Sequence, residues 1–286
     1  MRRRILLFTQ GFSGKLLCEA LEKRGINHII YTYALNAVRR EADQVYLREG
    51  YPYRYINERS FDGSKVEVQG GDVIICADWT KDFFHKTDPA APVYHLHLSL
   101  LPGYRGYGAV SEQFLRGAAV AGVTLYRENG HIDAGPVAYQ REIRIEHDHS
   151  AEEYIRACIK AAAEWISELA DGAQPALRAQ DETAAFYVQR HRRRMGMIDL
   201  NACALYVYNT VRAYSKPFFG SYFYRNREKI TVWKAKCERW AGIHDNPGTV
   251  LERTVNGAEV ACGEGSVILT EVEVNGVVYR FDDIPL

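Results

Sequence analysis

Hydrophobic and polar positions follow two rhythms along this chain, and the change from one to the other divides it. Ile5–Thr9 is a short apolar run, after which Leu16, Leu17, Ala20 and Leu21 recur at helical spacing until Arg24-Gly25. His28–Tyr33 reads as a second strand. Val38–Gly50 reads as a helix carrying Arg39, Arg40 and Arg48 on a solvated face. Asp72–Ala77 (DVIICA) is the β-branched run of a strand buried on both faces of a parallel sheet. Alternation of such elements predicts an α/β domain. Gly11–Gly14 reads as a tight turn, and GFSGKL has neither the spacing of a P-loop nor the three glycines of a dinucleotide fingerprint.

Further along, Val137–Ile145 alternates as a strand and Ser150-Ala-Glu-Glu153 forms a capping box. The helix that follows has an apolar stripe from Tyr154 to Leu169 and ends at Asp171-Gly172. Between residues 173 and 194 the periodicity lapses and the basic run Arg190-His-Arg-Arg-Arg194 appears, which predicts a domain boundary. From Val207 onward the pattern becomes short alternating segments broken by turns, as in ITVWKA, GTVLERTVNGAEVAC and SVILTEVEVNGVVYRF. That rhythm predicts a small β-barrel. The division is therefore an α/β domain over 1–175, a linker over 176–203 and the barrel over 204–286.

Charge and cysteine content narrow the function classes. Lys+Arg and Asp+Glu both number 36 in 286 residues, so no global field draws the chain to nucleic acid or to an anionic membrane. The six cysteines lie far apart without a C-x-x-C pair, which argues against a zinc knuckle or disulfide framework and for buried, reduced thiols. The apolar run after Met1-Arg-Arg-Arg is too short for a signal peptide, and no later run reaches membrane-spanning length. A cytoplasmic protein with no membrane partner is expected.

Candidate chemistry is concentrated in Tyr94–Gly106, YHLHLSLLPGYRG. Side chains alternate across a strand, so His95 and His97 share one face while Tyr94, Leu96 and Leu98 take the other. Pro102, Gly103 and Gly106 then open the strand into a loop, and open α/β sheets bind ligands at such strand ends. The stretch resembles the Asn-x-His-Pro-Ser-Leu-Leu-Pro-x-Tyr-Arg-Gly signature of enzymes that transfer a formyl group from 10-formyltetrahydrofolate to an amine. Gly122–Val137 (GVTLYRENGHIDAGPV) resembles the same family's Gly-Val-Thr segment followed by Asp-x-Gly. The C-terminal stretches MIDL, YNTVRAYSKPFFGSYFY, ITVWKA and PGTV resemble the methionyl-tRNA and amino-arabinose nucleotide branches of that family, so the resemblance spans most of the chain. Two departures stand out: His95 occupies the asparagine position and Leu98 the usual proline position.

The resemblance implies a Rossmann-like, mostly parallel sheet domain followed by an OB-like barrel, with 10-formyltetrahydrofolate as donor and no metal. It places the main oxyanion partner at His97 and the base that also orients it at Asp133, with His95 as the second oxyanion donor in place of the amide. It puts donor binding at Trp79, Thr80, Lys81, Phe83, Leu101, Gly130, His131, Ile132 and Gly135. Acceptor binding falls to Tyr104, Arg105, Arg192 and Arg193, the latter pair suited to the phosphates of a nucleotide sugar or of a tRNA stem. Charge neutrality and the lack of a Gly-Arg-Gly-Lys type segment favour a small amine, an amino-sugar nucleotide, over the alternative of methionyl-tRNA. Two readings of other classes stay open. His95, His97 and Asp133, with His131 or His85, could hold the metal of a hydrolase. A silent folate-binding relative is the other; oligomeric state and the acceptor amine are not legible.

Overall fold

The computed structural model describes residues 2–33, 53–56, 66–79, 91–242 and 245–285. Its strands are β1 (Ile5–Thr9), β2 (His28–Tyr33), β3 (Arg54–Ile56), β4 (Val73–Ala77), β5 (Val93–His97), β6 (Arg105–Gly106), β7 (Val120–Arg127), β8 (Val137–Arg144) and β9 (Tyr187–Val188), then β10 (Ser221–Arg225), β11 (Glu228–Arg239), β12 (Val250–Thr254), β13 (Gly257–Ala261), β14 (Ser266–Val274) and β15 (Val277–Arg280). The α-helices are α1 (Gly11–Lys23), α2 (Ala109–Leu115), α3 (Ala151–Ala170) and α4 (Ala204–Tyr214). Two compact units result: Met1–Ala109 with Val120–Arg144 and Ile155–Gln189, and Val110–Ala119 with Ile145–Tyr154 and Arg190–Leu286.

In the first unit seven strands pair in the order β3-β2-β1-β4-β5-β7-β8. The first five are parallel, and β7 and β8 join antiparallel. This is the mostly parallel, doubly covered sheet the apolar runs predict: every residue of β1 and β4 is buried. Phe8 stacks on Tyr31 at 4.5 Å and receives the edge of Trp79 at 5.5 Å, so the first aromatic after β4 packs on the core. Gly11–Gly14, read as a turn, is instead the first turn of α1. A Cβ at Gly14 would lie 2.5 Å from Thr9 Oγ1, so the helix approaches the strand closely enough to require glycine there. The capping box is formed: Glu153 accepts from Ser150 N–H at 2.7 Å and Ser150 Oγ accepts from Glu153 N–H at 3.4 Å. Val38–Gly50, with its three arginines, lies outside the described residues.

The second unit carries an antiparallel sheet in the order β10-β11-β14-β13-β12, with β15 also on β14. The antiparallel C-terminal domain expected from the turn-punctuated rhythm is therefore present. α4 was not anticipated, although Ala204, Val207, Tyr208 and Val211 carry helical spacing; they pack on Val232, Leu269 and Val272. Five of the six cysteines are buried, Cys203 being exposed, and burial pushes Cys18 and Cys237 up to about 12. Among the described residues no helix is long and apolar enough to cross a membrane.

Gly122 shows how tightly the sheet grips the loop after β5. A Cβ there would stand 2.3 Å from Leu100 Cδ2 and 2.4 Å from the Arg141 carbonyl. Gly122→Ala should destabilise the protein by about 1–3 kcal/mol through overpacking, read as a lower denaturation midpoint. An unchanged midpoint would show that Leu100 moves aside freely.

Candidate active site

β5 ends at the sheet edge where open α/β folds receive ligands, and its neighbour β7 sets the register: His97 stands opposite Thr124 and His95 opposite Tyr126. Beyond β5 the loop is fixed from within. Ser99 Oγ donates to the Gly103 carbonyl (2.8 Å), Thr124 Oγ1 to the Ser99 carbonyl (2.7 Å), and Leu101 N–H to Thr124 Oγ1 (3.2 Å). Leu101 is buried and its carbonyl accepts from Gln140 Nε2 at 2.8 Å. It therefore serves the loop's shape.

Asp133 is the centre of the arrangement. Its backbone lies at φ 53, in the left-handed region, and its carboxylate is buried. Oδ2 accepts from Gly106 N–H at 2.6 Å and Oδ1 from Tyr126 O–H at 2.8 Å. Burial, then the neighbouring Asp133 charge, pushes the Tyr126 phenol well above its ordinary range, so it remains a donor. His97 Nδ1 is 3.5 Å from Asp133 Oδ2, while its Nε2 lies 2.8 Å from the Tyr104 carbonyl. Both oxygens only accept, so the ring serves both when it carries both protons.

His95 has a carboxylate of its own. Its Nε2 is 2.5 Å from Glu128 Oε2, the two side chains being 13% and 11% exposed, and the Tyr126 ring stacks on the imidazole at 5.3 Å. The N–H is not aimed along the line to the oxygen, so the two groups are in close contact without a directed hydrogen bond. Burial pushes the Glu128 carboxyl up, but His95 and the N–H groups of Gly130 and Asn129 outweigh burial and hold it below the ordinary carboxylate range. Neither Glu128 nor Tyr126 figures among the residues singled out from the sequence. The signal that could have found them was the β5–β7 register, which pairing of two strands alone supplies.

Arg105, expected to touch an acceptor, is 1% exposed and fully engaged. It donates to Glu182 at 2.7 and 2.9 Å, to Gln180 Oε1 at 2.8 and 3.2 Å, and to Tyr187 O–H at 3.3 Å. Gln180 Nε2 in turn donates to the carbonyls of Asp133 (2.9 Å) and Gly135 (2.7 Å). Part of the stretch read as a linker is thus woven into the first unit, where β9 pairs with β6 and Arg178 bridges Val137. Tyr104, at φ 60, lays its ring against Phe186 at 4.7 Å. A Cβ at Gly135 would fall 1.8 Å from the Arg127 carbonyl, so that glycine is a packing requirement. Gly130, His131 and Ile132 are exposed beside Asp133.

Arg192 and Arg193 are exposed in the second unit, whereas His191 between Arg190 and Arg192 is half-buried, 2.7 Å from Tyr214 O–H and 3.3 Å from Glu112. Thr80, Lys81, Phe83 and His85 lie outside the described residues, and Trp79 is half-buried. Among the described residues no three His, Cys, Asp or Glu side chains are placed to share a metal ion. Each imidazole faces its own carboxylate instead.

The family model described as formyl transferase matches residues 6–169, and that of the formyl transferase C-terminal domain matches residues 191–277. The chain belongs to the formyl transferase family. Solved structures agree on the fold. HypX from Aquifex aeolicus, solved with tetrahydrofolic acid, superposes with a TM-score of 0.65 at 16% identity over 98% of this chain and 46% of that one. An N-formyltransferase from Helicobacter canadensis, in complex with folinic acid and dTDP-3-aminofucose, gives 0.63 at 12% identity over 94% and 99%. Methionyl-tRNA formyltransferase from Clostridium thermocellum gives 0.58 at 15% identity over 93% and 100%. This formyl transferase thus spans less than half the length of HypX.

Tyr126→Phe keeps the ring on His95 and removes the O–H from Asp133. The loss of a hydrogen bond to a buried carboxylate should cost on the order of 1.5–3 kcal/mol in urea unfolding. A change below about 0.5 kcal/mol would mean that Asp133 does not depend on this donor.

Proposed function

We propose that this formyl transferase moves a formyl group from 10-formyltetrahydrofolate to the primary amine of a small substrate, an amino-sugar nucleotide in the first instance. The observation that carries the reading is the His97–Asp133 pair, anchored by Gly106 and Tyr126, inside the segment matched by the formyl transferase model. The donor fits the residues present. Ile132, 51% exposed, and Gly130–His131 give an open, partly apolar surface next to the buried pair, the kind of surface a planar ring system covers.

10-Formyltetrahydrofolate supplies an activated formyl carbon. Attack by an amine places negative charge on the carbonyl oxygen, and the rate depends on donors fixed where that charge develops. His97 is such a donor. Asp133 holds the ring from the Nδ1 side, and the Nε2–H that rests on the Tyr104 carbonyl is the donor shared with the developing oxygen. The low exposure of the pair keeps competing water away.

Equal numbers of acidic and basic residues support a small acceptor rather than tRNA. The exposed Arg192 and Arg193 are the cations offered to a sugar nucleotide's phosphates. Purified protein given 10-formyltetrahydrofolate and a panel of dTDP-amino sugars should release tetrahydrofolate, followed optically. Release with methionyl-tRNA alone, falling steeply with salt, would overturn the acceptor; no release with any amine would overturn the donor as well.

A second test addresses His97. His97→Ala should lower kcat by about a hundredfold or more with little change in donor affinity. An effect confined to KM would assign His97 to binding rather than to the oxyanion.

A further inference from the structure

An amine that attacks a formyl carbon carries a surplus proton, and a base must take it. The sequence points to Asp133, yet both of its oxygens already accept donors, Oδ2 from Gly106 N–H and Oδ1 from Tyr126 O–H. A proton arriving on either oxygen removes the negative charge to which both donors are bound. On the same strand face stands a second imidazole with its own nearly buried carboxylate, His95 with Glu128. Glu128 is fixed from the other side, Oε1 accepting from Gly130 N–H. The Glu128 charge beside Nε2 favours the proton on that nitrogen, which leaves the lone pair on Nδ1. Stacking on Tyr126 holds the ring plane.

The geometry points to Glu128 and His95 as a general-base dyad for the attacking amine, with His95 Nδ1 as the catalytic atom and Glu128 as its positioning residue. A carboxylate that fixes an imidazole's tautomer and offsets the charge it gains is the arrangement that makes histidine a base. The inference rests on the formyl-transfer reading and deepens it, because the asparagine of the signature this stretch resembles has no basic nitrogen. In the step, the amine lone pair forms the bond to the formyl carbon while one amine proton passes to Nδ1, and Glu128 balances the imidazolium. The carbonyl oxygen takes an electron pair and returns it as the bond between the formyl carbon and the donor nitrogen breaks. That nitrogen then receives the proton from His95. Nothing is oxidised or reduced and no further reactant is needed.

The test compares kcat for a dTDP-linked amino sugar in the parent protein, His95→Asn, Glu128→Gln and the double variant, together with His95→Ala in added imidazole. His95→Asn should lose about a hundredfold or more and Glu128→Gln about tenfold. In the His95→Asn background the Glu128 change should cost little more, since its object is gone. Imidazole should restore part of the activity of His95→Ala. Near-full activity in His95→Asn would make His95 an amide-like donor and overturn the dyad. So would equal costs of Glu128→Gln in both backgrounds, which would mean that Glu128 acts through Gly130. Nitrogen-15 NMR of the parent protein gives a readout that needs no turnover: His95 should be protonated at Nε2, and Glu128→Gln should erase that preference. If no amine is formylated but this signature holds, the formyl-transfer reading fails, and with it the dyad's role toward an amine, while the control of the His95 tautomer by Glu128 stands. If amines are formylated and His95 is protonated at Nδ1 alone, the dyad fails and formyl transfer stands.

Discussion

Asp133 is held by three separate parts of the first unit, and the site exists only while all three hold. The loop after β5 gives it Gly106 N–H, β7 gives it Tyr126 O–H, and the segment before β9 gives Gln180, which grips the Asp133 and Gly135 carbonyls. A non-glycine residue in the left-handed region costs on the order of 1 kcal/mol, an amount that any one of these hydrogen bonds offsets. The backbones must come close for the bonds to form. Gly106 would place a Cβ 2.4 Å from the Val188 carbonyl, and Gly135 would place one 1.8 Å from that of Arg127. The glycines therefore serve this arrangement through the close approach they permit.

Tyr126 joins the two halves of the site, since one face lies on His95 and its hydroxyl reaches Asp133. Both follow from its place on β7 opposite His95. Two imidazole–carboxylate pairs on one strand face would repel or share protons if they were free to rearrange. Here each carboxylate has a backbone N–H of its own, Gly106 for Asp133 and Gly130 for Glu128, so each pair keeps its partner. In the proposed formyl transfer, groups fixed in this way need no reorganisation as charge develops.

Much of this was legible in the residue pattern. The buried runs of β1 and β4, the capping box at Ser150 and the shared face of His95 and His97 follow from local periodicity, which the structure reproduces. α4 was hidden because its stripe lies in a stretch whose turns and alternating strands dominate the wider window. Glu128 and Tyr126 were hidden for a different reason. Nothing within their own stretch distinguishes them, and only the pairing of β5 with β7 brings them to the histidines. Register is a tertiary property that a single chain read in order does not reveal.

Arg105 sharpens the distinction between a signature residue and a reacting one. A guanidinium stripped of water is costly unless its donors are met, and breaking such a set by removing one partner leaves a buried charge alone. Here the fork is filled by Glu182 on one edge and Gln180 on the other, with Tyr187 above, and Glu182 keeps 67% of its side chain exposed, so the pair is solvated from one side. Lysine has a single point charge and could not hold both edges in one plane. Because Gln180 gives its carbonyl to Arg105 and its amide to Asp133, the arginine fixes which way that amide faces. Arg105 thus bears on Asp133 through one intermediate side chain, Gln180.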